Sequence, residues 1–238
     1  PPPPPGGGKP PFYKRKWFKI GLISAASLAA LGILTIVGVF WYYGKDVKSV
    51  DELAVYQPAT VTVIEDRHGR VIGEIYPVPD PEQAREERRY VRQISEIPEH
   101  VQNAFIASED ANFWDHGGID YMGIIRATLR NVAKGKKAQG ASTITQQVAR
   151  NFLLREHQDA SGAFQKSIGR KIKEMVLARR MEKVYSKEFI LFLYLNEIYF
   201  GSGAYGVEAA SRVYFDKSVA EITVAEAAIL AGLPQRPS

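Results

Sequence analysis

The chain contains no cysteine among its 238 residues, which excludes disulfides, thiolate nucleophiles and cysteine metal sites. Histidine is nearly as scarce, four in all, and no HExxH or other paired-histidine spacing occurs. The common zinc-hydrolase pattern is therefore missing. A GxSxG nucleophile elbow and a Walker loop are missing too. Acidic residues are absent from one region only. Residues 1–44 hold Lys9, Lys14, Arg15, Lys16 and Lys19 and neither Asp nor Glu, so this segment carries the whole net charge of +5. The rest of the chain is balanced and offers no global basic field for nucleic acid.

Charge of either sign is missing from residues 20–43, IGLISAASLAALGILTIVGVFWYY. Twenty-four uncharged positions are enough to span a bilayer core. The basic cluster before them and Trp41, Tyr42 and Tyr43 at their end match positive-inside orientation and an interfacial aromatic belt. A cleavable signal peptide has a shorter apolar core and small residues at its end. The expectation is a single-pass anchor in the cell (inner) membrane, with a cytoplasmic N-terminus and an extracytoplasmic domain.

Four regions follow. Residues 1–19 read as a disordered, Pro/Gly-rich basic tail, 20–43 as the transmembrane helix, 44–96 as a linker with a short β-hairpin, and 97–238 as the main domain. The hairpin is predicted around the Asp-Arg-His-Gly-Arg turn of TVTVIEDRHGRVIGEIY (60–76), and residues 78–89 read as a polar loop. Beyond 97 the pattern is helical, with helices expected at 98–108, 120–134, 144–154, 163–183, 187–199, 205–214 and 223–231. Thr143 with Gln146, and Thr223 with Glu226, have capping-box spacing.

Three stretches carry candidate chemistry. In ASEDANFWDHGG (107–118), Glu109 falls four residues after Phe105 and eight after Val101, on the apolar side of its helix. It also falls at the helix C-terminus, where the macrodipole disfavours negative charge. A carboxylate placed twice unfavourably is badly placed or put to use. QGASTITQQVARN (139–151) starts a helix whose free N–H groups and hydroxyls suit a phosphate or diphosphate, with Arg150 two turns on. The bland reading is an ordinary capped helix. FQKSIGRKIKEMVLARRMEK (164–183) reads as amphipathic, with Phe164, Ile168, Ile172, Met175 and Val176 on its apolar side. Arg170, Lys171 and Glu174 share the other face. That face is a solvated salt-bridged surface or a carboxylate set among cations that grip an anion. Residues 189–195 are seven consecutive apolar residues, too short to cross a membrane, so they form a core helix or touch the bilayer surface. A structural, hydrogen-bonding role is expected for His116.

Two carboxylates alone suggest glycoside chemistry. Arg150, Lys166, Arg170 and Lys171 shift the balance toward a diphosphate leaving group, which departs readily once neutralised. At this point the sequence resembles a known family. EDANFWDHGG is similar to the first motif of the peptidoglycan glycosyltransferases (glycosyltransferase family 51). GASTITQQ, RKIKE and KEFILFLYLN resemble the next three motifs in order, and AGLPQRPS resembles a downstream segment. The N-terminal anchor fits the family's class A penicillin-binding proteins and monofunctional transglycosylases.

The resemblance implies a mainly α, lysozyme-like helical domain with a membrane-facing smaller lobe, preceded by the single transmembrane helix and the small β-containing linker. It implies polymerisation of lipid II into β-1,4-linked glycan strands with inversion and release of undecaprenyl diphosphate. Carried over by motif, Glu109 is the general base and Glu174 the second catalytic carboxylate. Asp110, Ser142, Thr143, Gln146, Gln147, Arg150, Lys166, Arg170, Lys171 and Asn196 are the expected substrate-binding residues. A divalent cation, Mg or Mn, is sometimes used by the family, and nothing in this sequence identifies its ligands. The implied partners are lipid II, the growing strand, the bilayer and other cell-wall synthesis proteins, with no nucleic acid. The family also implies further helices beyond Ser238, and no SxxK, SxN and KTG set supports a transpeptidase. Two other readings stand beside this one: a lysozyme-like enzyme that cuts glycan, and a catalytically silent wall-binding scaffold.

Overall fold

The computed structural model describes residues 16–45, 47, 49–55, 57–77, 87–135, 142–153 and 167–235. The Pro/Gly-rich start of the tail, most of the loop expected at 78–89, Phe164 and Lys166 lie outside these residues. The chain divides into two units, residues 1–46 and 47–238. The first contains α1 (Lys16–Gly44), 29 residues, which begins a turn earlier than the apolar run. It is long and apolar enough to cross a membrane, a test that an anchor and a signal sequence both meet.

In the second unit β1 (Thr62–Glu65) and β2 (Val71–Ile75) form the expected antiparallel hairpin, with a bulge between Ile64 and Glu65. Its turn closes because the Asp66 carboxylate accepts the N–H groups of His68 (2.8 Å) and Arg70 (3.0 Å). Just before the hairpin, Val50 and Leu53 of a 3-10 turn enter the core.

Among the described residues seven α-helices follow: α2 (Glu99–Glu109), α3 (Tyr121–Lys134), α4 (Ile144–Leu153), α5 (Ile168–Val184), α6 (Lys187–Glu197), α7 (Val207–Phe215) and α8 (Val224–Gly232). Local chemistry sets their ends. The side chains of Asp120, Ser167, Ser186 and Thr223 accept the N–H three residues on, at the starts of α3, α5, α6 and α8. Gly135 ends α3 in the left-handed conformation. The Thr223–Glu226 capping box is complete.

Helix α6 is the axis of the core. Ile190, Leu191, Leu193, Tyr194 and Leu195 are all buried, so the apolar run of 189–195 packs inside the domain. Helix α4 packs against both α5 and α6, and α2 packs against α8. Phe105 of α2 meets Tyr194 and Phe200 edge to face, with ring centres 6.2 Å and 5.7 Å away.

Helix α5 departs from expectation. Ile168 is 82% exposed, and the inward line is Glu174, Leu177, Ala178 and Met181. The charged face of its first half turns into the domain, where each charge finds a partner. Apolar periodicity cannot register a face buried by ion pairing.

A second feature without local signal ties the chain before α2 to the end of α6. β3 (Arg88–Arg89) pairs in parallel with β4 (Ala204–Tyr205). Arg89 is buried, with Nη1 2.6 Å from Glu197 Oε1 and its guanidinium 4.8 Å from the Tyr205 ring centre. The turn before α7, GSGAYG (201–206), has the letter spacing of a dinucleotide loop but connects only a two-residue strand. Gly206 is fixed there by a φ of +82° and by Asn196 O, 2.7 Å from where a Cβ would stand.

Candidate active site

Glu109 is the last residue of α2, and the turn that follows it, residues 110–118, is fastened from three sides. The Asp110 carboxylate accepts His116 Nε2 (3.0 Å) and the Ile144 N–H at the start of α4 (3.0 Å), where a negative charge is favoured by the helix dipole. Gly118 N–H donates to His116 Nδ1 (3.2 Å), which puts the ring proton on Nε2, facing Asp110. The structural role expected for His116 is met. Gly118 has a φ of +87°, and a Cβ there would stand 2.7 Å from Ala178 O of α5. Only glycine combines that backbone conformation with that approach. On the third side, Lys187 of α6 donates to His116 O (2.7 Å), and its ammonium lies 4.4 Å from the centre of the buried Phe113 ring.

Helix α4 starts at the base of this turn. Thr143 Oγ1 accepts the Gln146 N–H (3.1 Å) and donates to Gly118 O (2.8 Å). Half of the predicted capping box is therefore present. The Gln146 side chain is engaged elsewhere, its Oε1 accepting Lys171 Nζ of α5 at 2.8 Å. Gln147, one residue on, donates Nε2 to Glu109 Oε2 (2.8 Å). Glu109 Oε1 is enclosed and has no hydrogen-bond partner among the described residues. An enclosed carboxylate oxygen without a donor calls for an explanation, and a reactive role is one.

Glu174 is the opposite case. It is 1% exposed, with Arg170 on Oε1 and Lys171 on Oε2, the latter at 2.8 Å. Lys171 Nζ also donates to Ser142 Oγ (2.8 Å), which ties α5 to the start of α4. Burial pushes the Lys171 ammonium below its ordinary value, against the pull of Glu174. Burial likewise lowers the Arg150 guanidinium, which is stabilised by Glu174 first and more weakly by Glu109. Arg150 thus feels both carboxylates.

The structure brings Glu109, Gln147, Arg150, Arg170, Lys171, Glu174, Ser142 and Gln146 together around the α4–α5 corner. Asp110 and Thr143 touch the same cleft but spend their side chains on the 110–118 turn and the α4 terminus. Asn196 is not brought there. Its Oδ1 accepts the Arg92 N–H (2.8 Å) and its Nδ2 donates to the carbonyls of Arg92 (3.0 Å) and Phe192 (2.8 Å). It is a strut between the chain before α2 and α6, its amide engaged by main chain. Among the described residues no group of three His, Asp or Glu side chains is arranged to hold a metal ion.

Sequence reasoning passed over Tyr194. Its phenol is buried, and its hydroxyl has no partner among the described residues. Burial first, then the charge of Glu109, pushes it well above the ordinary tyrosine value. Its place in KEFILFLYLN, beside the chemistry and inside an apolar run, was the available signal. Arg126 and Arg130 of α3 were also missed. With Glu109, Asp120, Ser142 and Thr143 they line a cleft of about 250 Å³.

A family model described as Transglycosylase matches residues 70–238. The chain belongs to the transglycosylase family. As a peptidoglycan glycosyltransferase domain, this transglycosylase implies a glycan-strand substrate. It is 40% identical over 229 residues to penicillin-binding protein 1A of Rickettsia bellii (strain RML369-C), covering 95% of this chain and 26% of that protein. The protein of the same name from Aquifex aeolicus (strain VF5) is 41% identical over 220 residues, 92% of this chain and 27% of that one. That of Neisseria lactamica is 41% identical over 218 residues, 92% and 25% respectively. The transglycosylase chain therefore spans about a quarter of the length of the curated relatives it matches.

Proposed function

We propose that this domain joins lipid II units into β-1,4-linked glycan strands with inversion, releasing undecaprenyl diphosphate, and that Glu109 is its general base. The observation that carries the reading is the contrast between two neighbouring carboxylates in a transglycosylase domain. Glu109 keeps an enclosed oxygen without a donor among the described residues, and Glu174 holds a cation on each oxygen. In the reaction step the acceptor's GlcNAc 4-hydroxyl oxygen bonds to the donor's anomeric carbon on the face opposite the diphosphate. The bond from that carbon to the diphosphate oxygen breaks with its electron pair, and the hydroxyl proton passes to Glu109. Arg150, Arg170 and Lys171 offset the charge that develops on the departing diphosphate. Glu174 keeps the last two in place, and Gln147 orients the base.

The same contacts disfavour the lysozyme-like reading, because a cation on each oxygen commits Glu174 to ion pairing rather than to a sugar leaving group. The basic residues ahead of α1 support a cytoplasmic N-terminus, a cell-membrane anchor and an extracytoplasmic domain. Contact of the domain with the bilayer is supported by α3, which exposes Met122, Ile125, Leu129 and Val132 along one face. Other cell-wall synthesis proteins are the remaining partners of this reading.

The test is polymerisation of labelled lipid II by the detergent-solubilised full-length protein, beside Glu109→Gln. Wild type is expected to give long glycan, and the variant to lose about 10²–10⁴-fold in rate. No polymer from wild type would leave the silent-scaffold reading standing. Equal polymer from both would remove Glu109 from the role of base.

A further inference from the structure

Glu109 Oε1 shares its condition with one other atom of the site. The Tyr194 hydroxyl is enclosed as well, and neither has a hydrogen-bond partner among the described residues. Packing brings the two side chains to one place. Tyr194 is 1% exposed on α6, and its ring meets Phe105 of α2 edge to face at 6.2 Å. Phe105 stands one turn before Glu109 on the same side of that helix. Helix α4, which places Gln147 on Glu109 Oε2, packs against α6 as well.

A buried phenol ordinarily donates its proton to something. Three charged groups act on Tyr194: Glu109 most strongly, then Arg150 and Asp110. A guanidinium can only donate, which removes Arg150. Asp110 already has His116 Nε2 on both oxygens and the Ile144 N–H on one of them. Of the three, Glu109 alone has an oxygen to spare. Burial holds the phenol well above the ordinary tyrosine value, so it keeps its proton and can only be a neutral partner.

We propose that Tyr194 is a positioning residue for the base, its hydroxyl donating to Glu109 Oε1 when lipid II seats against the carboxylate. In the structure the two atoms do not bond each other, and catalytic hydrogen bonds commonly tighten only with substrate bound. The base is then held by an amide on one oxygen and a phenol on the other. Neutral donors fix the plane of the carboxylate and leave lone pairs for the incoming proton, whereas the cations on Glu174 commit that residue to ion pairing. The assignment rests on the polymerase reading above.

Tyr194→Phe in the full-length protein tests it, by polymerisation of labelled lipid II across pH beside Glu109→Gln. The kcat is expected to fall about 3–10-fold, the loss of one neutral hydrogen bond, with the KM for lipid II within about twofold. The donor favours the charged base, so its removal is expected to move the acid limb of kcat up by about half to one pH unit. The acid limb of kcat/KM, which reports the protein before substrate binds, is expected to stay. The charges around Glu109 are Asp110, Arg126 and Arg130 of α3, Arg150 of α4 and Glu174 with its cations on α5, and the substitution alters none of them. Thermal stability is expected to hold or rise, because the lost hydroxyl had no partner among the described residues. Unchanged kcat and acid limb with an active wild type overturn the proposal and leave the polymerase reading intact. So does a lower kcat with an unmoved limb and a lower unfolding temperature, which makes Tyr194 a packing residue only. A rise in KM alone also overturns it. Absence of polymer from wild type, or equal polymer from Glu109→Gln, overturns both.

Discussion

At the end of α2, Glu109 has one carboxylate oxygen on Gln147 and the other without a partner among the described residues, while on the inward face of α5 Glu174 has a cation on each oxygen. The two sit in one domain and are joined electrostatically through Arg150. Their difference separates two uses of a carboxylate held inside a site. Glu174 is part of the architecture of charge: without it Arg170 and Lys171 would lack the anion that holds them on the inner face of the helix. Glu109 is rigidly carried by the 110–118 turn, yet its own bonding is incomplete, which is what a proton acceptor requires.

Paired isosteric substitutions break the comparison most sharply. Glu109→Gln is expected to abolish most polymerisation and to leave the unfolding free energy within about 0.5 kcal/mol, because no ion pair is lost. Glu174→Gln is expected to cost about 3 kcal/mol in denaturant unfolding, the low end for a broken buried pair. The discount is for Lys171, whose side chain is 38% exposed. Similar destabilisation by both would erase the distinction.

Gly118→Ala tests the support beneath Glu109. A side chain at φ +87°, 2.7 Å from Ala178 O, is expected to destabilise the domain by about 1–3 kcal/mol and to slow polymerisation with it. A pH profile tests the Glu174 side. Burial holds Lys171 below its ordinary value of 10.5, so between its folded value and 10.5 the unfolded chain binds the proton more tightly. Stability therefore rises with pH across that window, while the site loses a cation. Activity is expected to fall on the alkaline side earlier than an ordinary lysine titrates, and Lys171→Arg to move that limb upward. The smallest effect is reserved for a position outside both regions. Thr223→Ala removes the α8 cap and is expected to cost about 1 kcal/mol, read by thermal unfolding, with polymerisation unchanged.

The helices were readable because their starts are written locally, in Asp120, Thr143, Ser186 and Thr223, and their boundaries fall within two residues of expectation except at α5, which Ser167 caps so that it starts at 168 and not at 163. The family was readable from motif order, and so were most of the residues that meet at the α4–α5 corner. Its internal division of labour was not. Asn196 and Gln146 both look like ligand-binding amides in a sequence, and only tertiary contacts give one to main chain and the other to Lys171. The inward charged face of α5 defeats periodicity because ion pairs bury what hydropathy assigns to water. Arg126 and Arg130 carry no motif; they read as solvated helix charges until the fold lays α3 along the cleft.

The tie between residues 88–92 and α6 also governs the order in which the domain can assemble. Arg89 and Arg92 find their partners Asn196 and Glu208 more than a hundred positions later. A chain emerging from its N-terminus holds these two arginines without those distant partners until residues 196–208 have been made. Closing so long a loop comes at the end of folding, after the local helices have formed. Until then β3 lacks the strand it pairs with, because β4 lies beyond α6.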